Sequence, residues 1–190
     1  MTRIVAGSAR GRRLTVPPRG TRPTSERARE ALFSSLEHLG VVEDCAVLDL
    51  FAGSGALGLE AASRGASRVV LVDMARSAIN VLKKNVAQVR DDVQDVTVVQ
   101  QRAGQFLTRA SGDEDESERF DLVFIDPPYD FSDHSIANIL AALADNWLHL
   151  DAVVVVERGA KAAEPQWPPE WEPRKPRKYG DARLWIARAG

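Results

Sequence analysis

The hydrophobic pattern of the chain is regular from Ala46 onward, where short apolar runs alternate with segments of helical spacing. The short runs predict five strands, at Ala46 to Phe51, Arg68 to Asp73, Val96 to Gln100, Phe120 to Ile125 and Ala152 to Glu157. The segments between them predict four helices, at Ala56 to Arg64, Ala75 to Arg90, Gln105 to Ala110 and His134 to Asn146. Strands that alternate with helices form a parallel sheet with helices on both faces. The pattern therefore predicts an α/β fold.

The two ends of the chain depart from this alternation. Near the start, strand-like pieces at Arg3 to Ala6 and Arg12 to Val16 surround a glycine-containing turn, which predicts a small β-hairpin or arm. The proline-rich stretch from Pro17 to Pro23 is typical of a linker. Near the end, pieces at Arg174 to Lys178 and Arg183 to Ala187 flank a turn and predict an antiparallel hairpin. With these two strands the main sheet is expected to be seven-stranded.

One more helix is predicted between the linker and the first strand of the sheet. Thr24 is its predicted N-cap, and Gly40 is expected to end it. Leucines recur at helical spacing between these residues, at positions 32, 36 and 39. This helix therefore has an apolar face that can pack on the sheet.

Length and composition narrow the class of protein. A chain of 190 residues fits one domain, and 44% hydrophobic residues are enough to fill a core. No apolar run reaches the roughly 18 residues of a membrane span, and the start of the chain lacks the apolar segment of a secretory signal. Cys45 is the one cysteine, which excludes a disulfide within the chain and a multi-cysteine metal site. We therefore expect a cytoplasmic protein that binds no metal.

Charge is distributed unevenly, although the net charge is only −2. Residues 1–30 contain eight arginines and two glutamates, whereas residues 31–190 contain 17 basic and 25 acidic residues. The last residues are basic again, from Arg174 to Arg188. A concentrated basic segment on an acidic body predicts a polyanionic partner such as a nucleic acid. The alternative is a solvated surface in an arginine-rich chain.

A glycine-rich loop follows the first strand of the sheet. The sequence from Gly53 to Gly58 is Gly-x-Gly-x-x-Gly between a predicted strand and a predicted helix, the context in which this motif binds a nucleotide. Asp73 ends the next strand, where a carboxylate can accept hydrogen bonds from the ribose hydroxyls. Together these features predict a nucleoside cofactor, either NAD or S-adenosylmethionine.

Asp49 favours S-adenosylmethionine over NAD. It lies four residues before Gly53, at the end of the strand. A carboxylate there would repel a pyrophosphate but would attract a cation, such as an α-amine or a sulfonium. The alternative role for Asp49 is to accept a hydrogen bond from a nearby backbone N–H.

The sequence Asp126-Pro127-Pro128-Tyr129 ends a strand of apolar residues abruptly. Tandem prolines cannot continue a sheet ladder, so the motif is presented at the carboxyl end of the strand, where ligands bind in open α/β sheets. The Asp126 side chain and the Pro127 carbonyl offer two acceptors for the two N–H groups of an exocyclic amine. Tyr129 can stack on the base that carries this amine. The alternative is a turn that only terminates the strand.

These motifs resemble those of class I S-adenosylmethionine-dependent methyltransferases that act on amines, in which the cofactor loop precedes Asp-Pro-Pro-Tyr. Further sequences are similar to the RsmD family, at Arg3 to Gly7, Gly11 to Leu14, Arg22 to Thr24, Arg27 to Phe33 and Lys178 to Asp181. Enzymes of that family methylate N2 of guanine in 16S ribosomal RNA. The resemblance implies a basic arm at residues 1–22 that docks on RNA and a Rossmann-like methyltransferase domain at residues 23–190.

The resemblance also implies roles for individual residues. The implied catalytic residues, which hold the target amine and base, are Asp126, Pro127 and Tyr129. The implied cofactor-binding residues are Asp49, Phe51, Gly53, Gly55, Asp73, Met74, Ala103 and Gly104. The implied RNA-binding residues are Arg10, Arg12, Arg13, Arg22 and Arg27, whose planar side chains suit phosphate. Related methyltransferases often place an acid after the third strand to bind the adenine amine. This chain has none there, so backbone groups at Ala103 or Gly104, or the Gln105 side chain, are expected to substitute.

We therefore expect a monomeric enzyme that methylates N2 of a guanine in 16S ribosomal RNA, on the small subunit or on an assembling, protein-bearing particle. Three alternatives stay open. An adenine-N6 DNA methyltransferase shares the Asp-Pro-Pro-Tyr motif, but 190 residues leave little room for a large target-recognition domain. A non-catalytic RNA-binding assembly factor would have no use for that motif. An NAD oxidoreductase would share only the glycine loop.

Overall fold

A computed structural model describes residues 2–17, 25–108 and 116–190. The strands are β1 (Thr2–Arg3), β2 (Arg13–Leu14), β3 (Ala46–Asp49), β4 (Arg68–Asp73), β5 (Asp95–Gln100), β6 (Phe120–Ile125), β7 (Leu148–Gly159), β8 (Glu172–Pro173), β9 (Arg177–Tyr179) and β10 (Ala182–Arg188). The helices are α1 (Glu26–His38), α2 (Ala56–Ser63), α3 (Arg76–Val89), α4 (Ala103–Leu107) and α5 (Asp133–Asn146), with a 3₁₀ turn at Glu116–Glu118.

The central sheet has seven strand positions, in the order β5-β4-β3-β6-β7-β10 followed by β8 and β9. The strands from β5 to β7 run parallel to one another. β10 runs antiparallel to β7, and its other edge pairs with β8 near one end and with β9 near the other. The predicted mostly parallel sheet with antiparallel C-terminal strands is thus confirmed, but it has eight strands instead of the predicted seven. The eighth strand arises because β8 and β9 share the last position.

The strand order reverses beside β3. The chain runs outward from β3 to β4 and β5, and then returns to β6 on the other side of β3. In open α/β sheets, ligands bind at the carboxyl ends of the strands that flank such a reversal. Asp49 is the last residue of β3, and Asp126 directly follows β6. The topology therefore brings together two acids that are far apart in the sequence.

Both faces of the sheet are buried, which holds the strand ends in a rigid scaffold. One face carries Val47 and Phe124 and packs against α1, α2 and α3. The opposite face carries Leu48 and Val123 and packs against α4 and α5. Central strands of a parallel sheet are apolar on both sides for this reason.

Residues 2–17 pack closely on this domain. β1 and β2 form the predicted hairpin, although each strand is shorter than expected. Ile4 and Leu14 are buried in the same core as α1, α2 and α3. Glu60 of α2 accepts hydrogen bonds from the backbone N–H groups of Val5 and Ala6 at 2.8 and 3.0 Å. The hairpin is therefore attached to the domain by buried contacts along its length.

Several element boundaries differ from the predicted ones. The N-cap of α1 is Ser25, whose hydroxyl accepts from the Ala28 N–H at 3.2 Å, whereas Thr24 lies outside the described residues. α4 begins at Ala103 instead of Gln105, and its predicted end at Ala110 also lies outside them. β7 begins at Leu148, four residues earlier than its apolar run, because Leu148 already pairs with Phe120 of β6. Among the described residues, no helix is both long enough and apolar enough to span a membrane.

Candidate active site

Asp49 is buried at the reversal of strand order, with 2% of its surface exposed. Its Oδ2 accepts a hydrogen bond from the Gly58 N–H at 3.2 Å, whereas its Oδ1 has no partner among the described residues. Burial raises the pKa of Asp49 to about 7, against the opposing effect of the nearby backbone of Gly58 and Phe51, and the charge of Asp73 raises it further. A buried carboxylate oxygen without a partner is a site for a cation.

The glycine loop begins at Gly53, whose N–H donates to Oδ2 of Asp73 at 2.9 Å. The other carboxylate oxygen of Asp73 accepts from the Ala75 N–H at 2.8 Å. These two bonds fix the Asp73 carboxylate at the end of β4, and each oxygen retains a lone pair for a ribose hydroxyl. Gly55 has a different role, because its φ of +79° and the 2.9 Å that would separate an added Cβ from Leu82 both require glycine.

A pocket of about 320 Å³ lies beside this loop. Of the predicted cofactor residues, those that line it are Asp49, Phe51, Gly53, Asp73, Met74 and Ala103. Gly55 and Gly104 are not among its lining residues. Asp126 and Pro128 line the same pocket, so the pocket beside the glycine loop is continuous with the Asp-Pro-Pro-Tyr motif.

The pocket includes residues that the sequence interpretation did not assign to it, notably Val16, Pro17 and Phe131. Val16 and Pro17 reach the pocket because the preceding Thr15 exchanges two hydrogen bonds, each of 2.9 Å, with the side chain of Asn85. The Asn85 amide also donates to the Ser54 carbonyl in the glycine loop at 2.8 Å. No local pattern could have revealed this contact, because it joins three segments that are distant in the sequence.

The segment after β5 contributes little to the pocket. Ala103 lines it, whereas Gly104 and Gln105 at the start of α4 are exposed and do not. The Gln105 side chain is therefore not placed to bind an adenine amine. Met74 is 57% exposed and lies on the pocket wall beside Asp73, where a flat ring could pack on it.

Asp126 also lines a second, much smaller cleft of about 10 Å³, together with Pro127, Tyr129 and Glu157, so that only the polar edge of a base could enter it. Burial raises the pKa of Asp126 well above its usual range, and the neighbouring charges of Glu157 and then Asp49 raise it further. Glu157, the last but two residue of β7, was not predicted as part of the site. The sequence shows it only as an acid at the end of an apolar strand.

The loop that follows Asp126 is held in a defined conformation. The Phe131 N–H donates to the Pro128 carbonyl at 3.0 Å. Arg158 donates to the Phe131 carbonyl at 3.1 Å and to Asp133 Oδ1 at 2.9 Å. Tyr129 is 68% exposed, and its ring lies 3.8 Å from where a Cβ would stand on Gly159. The loop therefore presents an aromatic ring at the mouth of the second cleft, where a base could stack.

The predicted RNA-binding arginines are not grouped at this site. Arg10 and Arg12 belong to the turn that contacts Ser63, the last residue of α2, and Asp92, which follows the C-terminal end of α3. That edge of the sheet is opposite to the edge of Asp49 and Asp126. Arg12 is paired with Asp92 at 2.8 Å. Of the others, Arg13 and Arg27 are exposed and Arg22 lies outside the described residues.

The chain was compared with known proteins. A protein family described as "Conserved hypothetical protein 95" matches residues 2–188. Ribosomal RNA small subunit methyltransferase D of Escherichia coli K12 is 39% identical over 171 residues, which are 89% of this chain and 80% of that protein. The enzyme of the same name from Haemophilus influenzae is 37% identical over 156 residues, 82% of this chain and 77% of the relative. The chain belongs to the RsmD family.

A solved structure supports this assignment. The Escherichia coli protein yhhF shares 35% identity and superposes with a TM-score of 0.83, over 99% of this chain and 97% of that one. RsmD membership confirms the predicted family and Rossmann-like methyltransferase fold, with S-adenosylmethionine as the cofactor of this class. It also sets aside the NAD oxidoreductase alternative. The residues present fit that cofactor, because the orphaned oxygen of Asp49 suits its cationic part and Asp73 suits its ribose.

Proposed function

We propose that this chain transfers a methyl group from S-adenosylmethionine to the N2 amine of a guanine in the 16S ribosomal RNA of the small subunit, in the cytoplasm. The observation that carries the proposal is the position of Asp126, which lines both the cofactor pocket and the cleft beneath Tyr129. A group bound in the cleft would thus lie next to a group bound in the pocket. The names of the RsmD relatives support ribosomal RNA as the substrate.

The cofactor would be held by three features of the pocket. Asp49 would face the cationic amino-acid part, the Asp73 carboxylate would accept the ribose hydroxyls, and Met74 would pack on the adenine. The bound cofactor supplies an electrophilic methyl group with a neutral thioether as leaving group. The protein therefore needs to position the amine and to accept its proton, and the chemistry requires no metal.

The pair of acids in the cleft favours guanine over adenine. The Watson–Crick edge of guanine presents adjacent donors, the N1–H and the N2 amine, whereas adenine presents one amine beside an acceptor nitrogen. Asp126 and Glu157 line the same cleft and offer two adjacent acceptors. With guanine, Asp126 would accept a hydrogen bond from the N2 amine and Glu157 would accept one from N1–H. With adenine, one of the two carboxyl groups would face the lone pair of a ring nitrogen and would accept no hydrogen bond.

The transfer then follows from the positions of these groups. The Asp126 carboxyl and the Pro127 carbonyl accept the two N–H groups of the amine, which turns its lone pair toward the methyl group. A bound cofactor would supply the methyl group to N2, and its sulfur would leave as a neutral thioether. The surplus proton on N2 leaves to the Asp126 carboxylate and from there to solvent. Tyr129 fixes the plane of the base throughout.

We also propose a role in RNA docking for the N-terminal part of the chain. Residues 1–22 would act as the RNA-docking part of the protein and residues 23–190 as the catalytic domain, in a monomer. Arg13 and Arg27 are exposed and available to phosphates, whereas Arg12 would first have to leave Asp92. Loss of RNA affinity and a smaller salt dependence in an Arg12→Ala, Arg13→Ala double variant would support the docking role. Unchanged values would refute it.

The proposed activity is tested by methyl transfer from labelled S-adenosylmethionine to small ribosomal subunits from cells that lack this protein. Label that is recovered as N2-methylguanosine from 16S RNA, and is lost with Asp126→Ala, is the expected result. Duplex DNA serves as the competing substrate, and label in DNA as N6-methyladenine would overturn the proposal in favour of the DNA enzyme. If the protein binds the cofactor and labels neither substrate, the catalytic role itself is wrong.

A further inference from the structure

The carboxyl edge of the sheet is unfavourable for a polyanion. Asp126 and Glu157 line the cleft, and Asp49 and Asp73 line the adjoining pocket. The phosphates that flank a base in the cleft would be repelled by these carboxylates. An RNA substrate therefore requires cations on the outer side of the cleft.

Three cations lie side by side across neighbouring strands at this edge. Arg158 of β7 is in register with Arg183 of β10, and Arg183 is in register with Lys178 of β9. Residues in register point to the same face of a sheet, and neighbouring strands lie about 4.8 Å apart. The three residues thus form a row roughly 10 Å long, which we call the cationic row.

The row begins at the rim of the cleft. Gly159 and Ala182, which are in register with each other, line the cleft together with Tyr129. Arg158 directly precedes Gly159, and Arg183 directly follows Ala182. The turn between β9 and β10 is fixed at this edge by a hydrogen bond of 2.8 Å from the Ala160 N–H to the Asp181 carbonyl. The cations therefore lie at the same edge of the sheet as the Tyr129 ring. Because side chains alternate along a strand, the cations point to the face opposite to that of Gly159 and the ring, so an RNA strand would reach them by passing over this edge.

The contacts made by the cationic row leave two of its members, Arg183 and Lys178, available to bind a phosphate. Arg158 is 11% exposed and bound to Asp133, so it supports the catalytic loop. The guanidinium of Arg183 lies over the Trp185 ring at 5.4 Å, and Lys178 is exposed. Among the described residues, neither Arg183 nor Lys178 forms an ion pair. Like charges directly opposite each other on neighbouring strands destabilise a sheet. A contribution to sheet stability therefore does not explain why these three cations lie side by side.

We propose that Lys178 and Arg183 bind the phosphates of the RNA strand next to the target base, and so dock the substrate at the cleft. This proposal rests on the proposed function, because it assumes that the cleft receives a base from RNA. Under this proposal, the RNA contact nearest to the site of methyl transfer is on the C-terminal hairpin. The N-terminal arginines Arg10 and Arg12 lie at the opposite edge of the sheet. Contacts of this kind add affinity and orientation without reading sequence.

Another role for cations on an edge strand is to prevent edge-to-edge pairing between molecules. That role predicts that their removal causes self-association and leaves RNA affinity unchanged. The phosphate role predicts the reverse. The two explanations are therefore separated by one set of measurements.

The test compares the wild type with Lys178→Gln, Arg183→Gln. The matched control is Lys83→Gln, Lys84→Gln, which removes the same charge from two exposed residues in the middle of α3. Binding to a 16S RNA fragment is measured across a range of salt concentrations, and cofactor binding is measured alongside. We expect the hairpin variant to lower the slope of log affinity against log salt by about 2, with unchanged cofactor binding. The control should keep the wild-type slope.

Equal slopes for the hairpin variant and the control would overturn the proposal. Thermal unfolding shows whether the loss of the Arg183 contact with Trp185 has disturbed the fold. Lys178→Glu alone, at an exposed position, provides a second variant that should weaken binding more than Lys83→Glu. The proposed function fails separately, if the wild type binds RNA through the row but transfers no methyl group to small subunits.

Discussion

The Nε of Arg29 donates to Oε2 of Glu60 at 3.1 Å, and neither side chain has any exposed surface. The same guanidinium donates to the Arg3 carbonyl, and Glu60 also accepts from the backbone of the N-terminal segment. Burial lowers the pKa of Arg29, and the charge and hydrogen bond of Glu60 oppose this. This pair ties α1, α2 and the segment before them into one unit.

Removal of one partner should therefore destabilise the protein strongly. Glu60→Gln would leave the Arg29 cation buried without its counter-charge, and we expect a loss of about 3–5 kcal/mol in the free energy of unfolding. Urea denaturation measures this loss. The control is Glu37→Gln, because the Glu37 side chain is 48% exposed and its partner Arg64 keeps its pairs with Glu60 and Glu30, so the loss should cost at most about 1 kcal/mol. Similar losses in the two variants would contradict the structural role of the buried pair.

Gly7 offers a test of how closely the hairpin packs on α2. Its φ is +82°, and an added Cβ would stand 1.8 Å from the Ser63 carbonyl oxygen. Gly7→Ala should therefore cost well over the roughly 1–2 kcal/mol of left-handed strain alone. Gly11→Ala is the matched control, because Gly11 has a φ of +84° and nothing within 4 Å of an added Cβ. Denaturation curves that show the same loss for both variants would mean that the hairpin does not pack as described.

Asp49 should make stability depend on pH. Its pKa rises from 3.8 to about 7 on folding, so between these values the folded state holds a proton that the unfolded chain has released. The free energy of unfolding therefore falls as the pH rises through this window, by something on the order of 4 kcal/mol in total. Asp49→Asn cannot ionise, so without cofactor it should be more stable than the wild type at pH 8 and similar at pH 4. A variant less stable than the wild type at pH 8 would contradict this.

The same residue should make cofactor affinity depend on pH. A bound cation favours the ionised form of Asp49, so the affinity for S-adenosylmethionine should rise from pH 5 until about pH 7 and then level off. Isothermal titration across this range measures the effect. Asp49→Asn should bind more weakly and lose this part of the pH dependence. If the variant keeps the wild-type profile, the cation does not lie at Asp49.

Glu157 should set the pH at which the rate of methyl transfer falls on the acidic side of the pH–rate profile. Its charge helps to raise the pKa of Asp126, and in the proposed mechanism the ionised Asp126 accepts a hydrogen bond and then a proton from the amine. Glu157→Gln removes the charge but keeps an acceptor oxygen, so the fall in single-turnover rate at low pH should move to lower pH. An unmoved acidic limb would show that the two carboxyl groups do not interact. Glu157→Ala, which removes the acceptor as well, should lower the preference for guanine.

Local sequence patterns were sufficient to predict those features of this protein that depend on only a few consecutive residues. The alternation of strands and helices, the glycine loop after β3, the acids at the strand ends and the Asp-Pro-Pro-Tyr turn were all predicted. Each depends on backbone preferences and on the period of apolar residues within one element. The sequence placed these acids at the ends of separate strands, and the strand order of the sheet brings them to one edge.

The tertiary structure decided which residues of similar character face water and which face the site. Arg29 is buried while Arg13 is exposed. Val16 and Pro17 reach the pocket beside the glycine loop through Asn85, and Glu157 lies beside Asp126. It also placed Arg12 and Lys178 at opposite edges of the sheet. These relations join segments far apart in the chain, and arginines or acids share the same local preferences wherever they occur. Only the packing of distant elements sets their burial and their partners.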